Sequence, residues 1–429
     1  MPLIDLKYGN TSIAFNYDES RFEILRSAGS EPPLSDIGIG ERLDRPIDSP
    51  VLEEIVHTGE SVLIVVPDAT RQTACGQVVN LVIRRLIANG TAAHDIRIIF
   101  ATGIHRKVTE VEKAAILTPF IVQRIKTLDH DPRDLMQLVG MGTTSGGIEI
   151  GLNRALTEHD HVVIIGGVTF HYFAGFTGGR KLICPGLASA RTISETHKLA
   201  FDCEKMARRD GVDTGRLDSN AVHEAFVEVV NKRPPSFAIN TIVDDAGDAV
   251  DLHCGDWQTS HRAACDAYAR ANTIEISEKR DLVIASCGGY PHDINLIQAH
   301  KTLDAASRAC REGGTIILFA ECAEGLGRAD FLKWFDTKNS NALAEILCGK
   351  YQVNGQTAWS LREKAETFDI RIVTNLDAEV TGKMGLKKIT FGDSIELARA
   401  SSSGAYIAPT GAKVAIRREN DDRAPMLHH

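Results

Sequence analysis

Short runs of β-branched and aliphatic residues, each followed by a turn and then a helical pattern, constrain this chain more than any other feature. Ser61-Val-Leu-Ile-Val-Val66, Ile96–Phe100 and His161-Val-Val-Ile-Ile165 are almost continuously apolar. A strand wetted on one face alternates, so runs like these indicate parallel strands buried on both faces by helices. Gly76 to Ala88 supplies the helical pattern after the first run. Beyond Phe237–Val243 and the turn-rich Asp244–Asp248, a helical segment from about Trp257 to Ile276 leads to a second set. Asp281–Ser286 and Thr315–Phe319 are its strands, and Asp293–Arg311 is the helix between them. The expected fold is α/β, with two domains, each a largely parallel sheet flanked by helices. The boundary is placed near residue 270, giving domains 1–270 and 271–429.

Chemically loaded segments fall just after the strands of the first set: Pro67-Asp68, Thr102–His105 and Gly166–Lys181. That edge is where open α/β sheets bind ligands. The third segment packs His171, Lys181 and a run of glycines into one strand-to-helix connection. Gly178 and Gly179 let backbone approach a ligand, Lys181 serves as nucleophile or point charge, and His171 moves protons. Each has a plainer alternative. His105 also reads as an N-capping or core histidine, His171 as a loop brace, Lys181 as a phosphate-neutralising lysine, and Asp68 with Arg71 as a surface ion pair. His197, after the helical stretch Ser189–Thr196, reads as a surface histidine or a single metal donor.

A formal net charge of −9 leaves no basic footprint for nucleic acid, and no run of about 18 apolar residues would span a membrane. The first residues lack a basic stretch followed by an apolar one, so cytoplasm is the expected location. Nine scattered cysteines, without a Cys-x-x-Cys pair, argue against a complete disulfide framework, and Cys184 reads as a small buried hydrophobe. The closing residues 423–429 read as a frayed end.

The pattern Gly166-Gly-x-x-x-His171-x-x-Ala-Gly175-x-x-Gly-Gly-x-Lys181 occurs with Asp68-Ala-Thr-Arg71, Thr102-Gly-Ile-His105-Arg106 and Gly288-Gly-Tyr-Pro291-x-Asp293 around it. Together, these motifs resemble the lactate racemase family. The resemblance implies an isomerase, a racemase or epimerase inverting C2 of a 2-hydroxy acid through a 2-keto acid. It also implies the family's cofactor, the nickel-pincer nucleotide: pyridinium-3-thioamide-5-thiocarboxylic acid mononucleotide with nickel. The C2 hydrogen of a hydroxy acid carboxylate is not acidic. It leaves more easily as hydride while a base takes the hydroxyl proton, and two bases on opposite sides serve two enantiomers.

By the same resemblance, His105 and His171 are the acid/base pair, His197 is the nickel ligand and Lys181 is the lysine that carries the cofactor. Asp68, Gly178 and Gly179 then belong beside the cofactor. Arg71, Gln298 and Lys301 belong with the substrate, and Trp359 is expected to line the same interdomain cleft. On a helical wheel Ile294, Ile297, Gln298 and Lys301 share one face, and Leu296, Ala299 and Leu303 another. His300 is expected to pack. Ile297 departs from the tyrosine of lactate-specific members, which points to a substrate larger than lactate. Implied partners are the small 2-hydroxy acid and the enzymes that make the cofactor. Two other readings compete: a cofactor-handling protein without racemase activity, and a nicotinamide-dependent dehydrogenase. The dehydrogenase lacks its Gly-x-Gly-x-x-Gly after the first strand, where Pro67-Asp68 stands.

Overall fold

The computed structural model describes residues 2–27, 29, 31–401 and 403–418. The frayed end expected over 423–429 lies outside them. The chain forms two compact units, one of residues 29–200 and 209–270, the other of residues 1–28, 201–208 and 271–429. The last crossing between them is at 270/271. The others, after residues 28, 200 and 208, leave no mark in composition.

In the first unit, a six-stranded sheet runs in the order Lys126–Asp129, Ile96–Ala101, Val62–Pro67, His161–Gly167, Phe237–Val243, Ala249–Gly255. All neighbours are parallel except the last pair, which is antiparallel. The continuous apolar runs have the expected cause. Val62, Ile64 and Val66 face one core with Val78, Val79, Val82 and Leu86 of helix Cys75–Ala88. Leu63 and Val65 face the other with Val222, Phe226 and Val229 of helix Ala221–Val230. Strands after Val62–Pro67 are added first on one side and then, from His161–Gly167, on the other. The loops after these two adjacent strands therefore diverge at the point where strand order reverses, a ready-made crevice.

The second unit has an all-parallel sheet in the order Lys387–Lys388, Asp369–Val373, Cys310–Phe319, Arg280–Ser286, Ala405–Ala408, Phe22–Ile24. The short strand Phe22–Ile24 comes from the far N-terminal end of the chain, a non-local pairing no local pattern announces. Leu296, Ala299 and Leu303 of helix Leu296–Ala309 are buried against the sheet, while Ile297, Gln298 and Lys301 on the other face are half-buried. His300 is buried and bonded to Ser360 Oγ through Nε2 at 3.1 Å.

The helix expected from Trp257 to Ile276 stops early. It spans Thr259–Asn272, and Thr273–Ile276 is instead a strand parallel to Ala415–Arg418. β-Branched Thr273, Ile274 and Ile276 favour the pleated form once a partner strand is present. Asp293, part of the glycine motif before the helix, is buried and accepts hydrogen bonds from the backbone of Gly9 at 2.7 Å and Glu321 at 3.2 Å. It fastens the N-terminal hairpin of Leu3–Tyr8 and Thr11–Asn16.

Candidate active site

Asp68 follows the strand Val62–Pro67 and is 6% exposed. Its Oδ1 accepts from the Thr70 backbone at 2.9 Å and hydroxyl at 2.6 Å, while Oδ2 accepts from His105 Nδ1 at 2.6 Å. Burial by itself would raise this carboxyl. The bond from His105, its charge and that of Arg71 outweigh burial and hold the carboxyl well below the usual carboxylate range. An ionised carboxylate only accepts, so the proton of a neutral His105 sits on Nδ1 and the lone pair on Nε2. The surface ion pair and capping alternatives for these residues do not describe this dyad.

His171 is 7% exposed, and its Nδ1 accepts from the Ala174 backbone N–H at 3.3 Å. The proton of the neutral ring is then on Nε2.

Ser189 caps helix Ala190–Lys198 by accepting from Thr192 N–H, and His197 occupies its last turn rather than following it. The His197 ring is 5% exposed, and Nδ1 donates to the Ile193 carbonyl one turn back at 2.7 Å. Burial first, and then the charge of Lys181, push its pKa down to about 3. A neutral imidazole with Nδ1–H fixed by a backbone carbonyl presents Nε2 as a donor, the arrangement that second-sphere bonds enforce on metal-binding histidines. Among the described residues, no group of three or more His, Cys, Asp or Glu is gathered to hold an ion. His197 would serve as one donor to a group that brings its own.

Phe173, which the sequence reading passed over, is the hub of this arrangement. His171 meets its ring edge-on at 4.5 Å, His197 at 5.2 Å, and Lys181 Nζ lies 5.6 Å from its centroid. Phe226 repeats the pattern, with His197 at 5.4 Å and Lys181 Nζ at 5.6 Å. The signal was an aromatic residue inside a glycine-rich loop between a histidine and a lysine. Arg180, wholly buried, braces that loop by donating to the Ala174 carbonyl at 2.6 Å.

Gly178 and Gly179 have φ of 72° and 49°, and a Cβ on Gly179 would meet the His261 ring at 2.5 Å. Both glycines are themselves buried. Cys184 is buried, and burial pushes its thiol up to about 12.

The remaining expected residues belong to the other unit. Lys301 Nζ donates to Gln298 Oε1 at 2.6 Å on the half-buried face of helix Leu296–Ala309. Trp359, on helix Val353–Thr367, is 6% exposed and packs edge-to-face on Phe201 at 4.9 Å within the hydrophobic core of its unit.

Residues 8–208 match the lactate racemase N-terminal domain, and residues 276–399 match its C-terminal domain. Two lactate racemases are similar in sequence. That of Thermoanaerobacterium thermosaccharolyticum is 32% identical across 78% of each chain, and that of Lactiplantibacillus plantarum is 31% identical across 77% of each. The solved lactate racemase apoprotein of T. thermosaccharolyticum superposes with a TM-score of 0.88, covering 97% of this chain and all of that one at 28% identity. A Thermotoga maritima protein with 19% identity and a TM-score of 0.71 shares the fold. On this agreement of motif, domain and structure, the chain belongs to the lactate racemase family and is an isomerase of the racemase kind.

Proposed function

We propose that this protein inverts C2 of a 2-hydroxy acid with His105 and His171 as its acid/base pair. The observation that carries the reading is the pair of histidines on separate loops that follow strands of one sheet, His105 held through Nδ1 by Asp68 at 2.6 Å and His171 buried. For one enantiomer, His105 Nε2 takes the hydroxyl proton as hydride leaves C2, giving the 2-keto acid. Asp68, kept ionised, steadies the resulting imidazolium. When hydride returns to the opposite face, His171, as the imidazolium, gives a proton to the oxygen and is left neutral, and the roles exchange for the other enantiomer. A positioned acid or base of this sort is worth about 10²–10⁴-fold.

A nickel-pincer nucleotide, when bound, supplies the acceptor and donor of hydride. His197 Nε2 would complete the coordination of its nickel, Lys181 would hold it covalently, and Asp68, Gly178 and Gly179 would lie along it. Arg71, Gln298 and Lys301 bind the substrate, with Lys301 directed to the carboxylate and Trp359 contributing its ring. Ile297, half-buried against its unit's core, offers no phenol to hydrogen-bond a small substrate. The preferred acid is therefore larger than lactate, such as a sugar acid. The protein works in the cytoplasm and receives its cofactor from the enzymes that make it.

The test is a panel of enantiopure 2-hydroxy acids offered to protein co-expressed with those enzymes. Inversion, slowed by deuterium at C2 and with kcat/KM above that for lactate, is the expected result. Lactate as the best substrate would remove the inference from Ile297 and leave the chemistry standing; no inversion of any acid would remove both. A nucleotide-sized mass on Lys181, absent in Lys181→Ala, is expected in the same preparation.

A further inference from the structure

Seven of the nine cysteines are buried free thiols. Cys203 and Cys348 differ, forming a disulfide between residues 145 apart in sequence, with Cys203 exposed and Cys348 half-buried. A solvent-open disulfide can be attacked by small thiolates in a way a buried one cannot.

Its location gives this consequence. Cys203 lies in the hairpin of Phe201–Asp202 and Ala207–Arg208, the middle stretch where the chain leaves one compact unit, packs into the other and returns. The hairpin starts four residues after His197. Its base is closed by the Arg209 N–H to Ala200 carbonyl bond at 3.0 Å. Its two ends are anchored by side chains: Phe201 is buried against Trp359, and Arg208 pairs at 2.8 Å with buried Asp304, which also holds Lys364 at 3.0 Å. The tip has Glu204 and Lys205 exposed, and the bond from Cys203 to helix Ser340–Gly349 holds it.

We propose that Cys203–Cys348 is a redox-modification site that exchanges with small thiols and disulfides of the glutathione class, and that its state sets how firmly the hairpin after His197 is held. In the reducing direction, a glutathione thiolate attacks Cys203 Sγ, the S–S bond breaks, and Cys348 leaves as a thiolate that takes a proton. A second glutathione thiolate attacks the glutathione sulfur of the mixed disulfide and releases Cys203. The protein gains two electrons and two protons, and two glutathiones become one glutathione disulfide. Oxidation is the reverse. None of this depends on the racemase reading.

Full-length protein is equilibrated in glutathione buffers from fully reduced to fully oxidised, then alkylated and mapped by mass spectrometry. Parallel samples receive a short pulse of trypsin. Cys203 and Cys348 are expected to become alkylated together in reduced buffer and to be protected together in oxidised buffer, with the seven buried thiols unlabelled throughout. Cleavage after Lys205 is expected to run about tenfold faster in reduced protein, because local opening governs the cut. Cys348→Ser and Cys203→Ser should both be cut at the faster rate in either buffer. A pair that keeps one state across the whole range, or cleavage after Lys205 at one rate in both states, overturns the proposal.

Discussion

Asp68 is placed by its strand and meets His105, through which the proposed function has it act. The carboxylate accepts a hydrogen bond from the Nδ1–H of that imidazole at 2.6 Å and is itself held by Thr70. Asp68→Asn keeps the size and removes the charge, so the amide can donate to Nδ1 and invert the tautomer. Turnover of the cofactor-loaded enzyme should fall by about 10²–10⁴-fold with the circular dichroism spectrum and bound nickel unchanged. A second expectation separates bases from ligand. His197→Ala should lose nickel on gel filtration of loaded protein, whereas His105→Ala and His171→Ala should keep it and lose turnover. At this scale the sequence singled out candidate side chains but not what each touches. Asp68 was expected beside the cofactor, and its bond to His105 joins loops 37 residues apart, a distance no local pattern spans.

Loops and helices decide whether those groups are held still. Gly179 needs its left-handed φ of 49°, and a Cβ there would collide with His261. Gly179→Ala should cost about 1–3 kcal/mol, read as a lower Tm. Gly40 is the contrast: it lies inside helix Asp36–Leu43, with nothing within 4 Å of an added Cβ. Gly40→Ala should raise stability by about 0.5–1 kcal/mol. Element type was legible where one kind of burial ran the length of a segment, as in Val62–Pro67 or the Leu296, Ala299, Leu303 face. It failed at Thr273–Ile276, where four residues became a strand because Ala415–Arg418 lay ready to pair with them.

Across the whole molecule, several histidines are held neutral by full or partial burial. Burial pushes His130 down to about 4 and His197, His223 and His300 down to about 3. Each has a folded pKa below the unfolded value near 6.5. As pH falls through that value, the unfolded chain binds protons the folded chain refuses, and stability falls with it. Each such group contributes a slope of up to about 1.4 kcal/mol per pH unit between its two pKa values. The depressed Asp68 carboxyl acts in the same direction, its contribution present above the usual carboxylate pKa and lost below it. Tm of the cofactor-free protein should hold near pH 7.5 and drop progressively from about pH 6.5 downward, well above the range where carboxylates titrate. His300→Gln should make that drop shallower.

Sequence alone determined the α/β class, because a strand buried on both faces must be apolar at every position and that leaves a readable run. It also placed Asp68, His105 and His171 on segments that directly follow such runs, and the structure has them there. Only the tertiary structure decided which of them meet. The Asp68–His105 bond, the shared ring of Phe173, the recruitment of Phe22–Ile24 into a distant sheet and the pairing of Cys203 with Cys348 all join segments whose nearness comes from packing rather than from sequence proximity. Hydrophobic periodicity reports which face of an element is buried, and it is silent on what buries it.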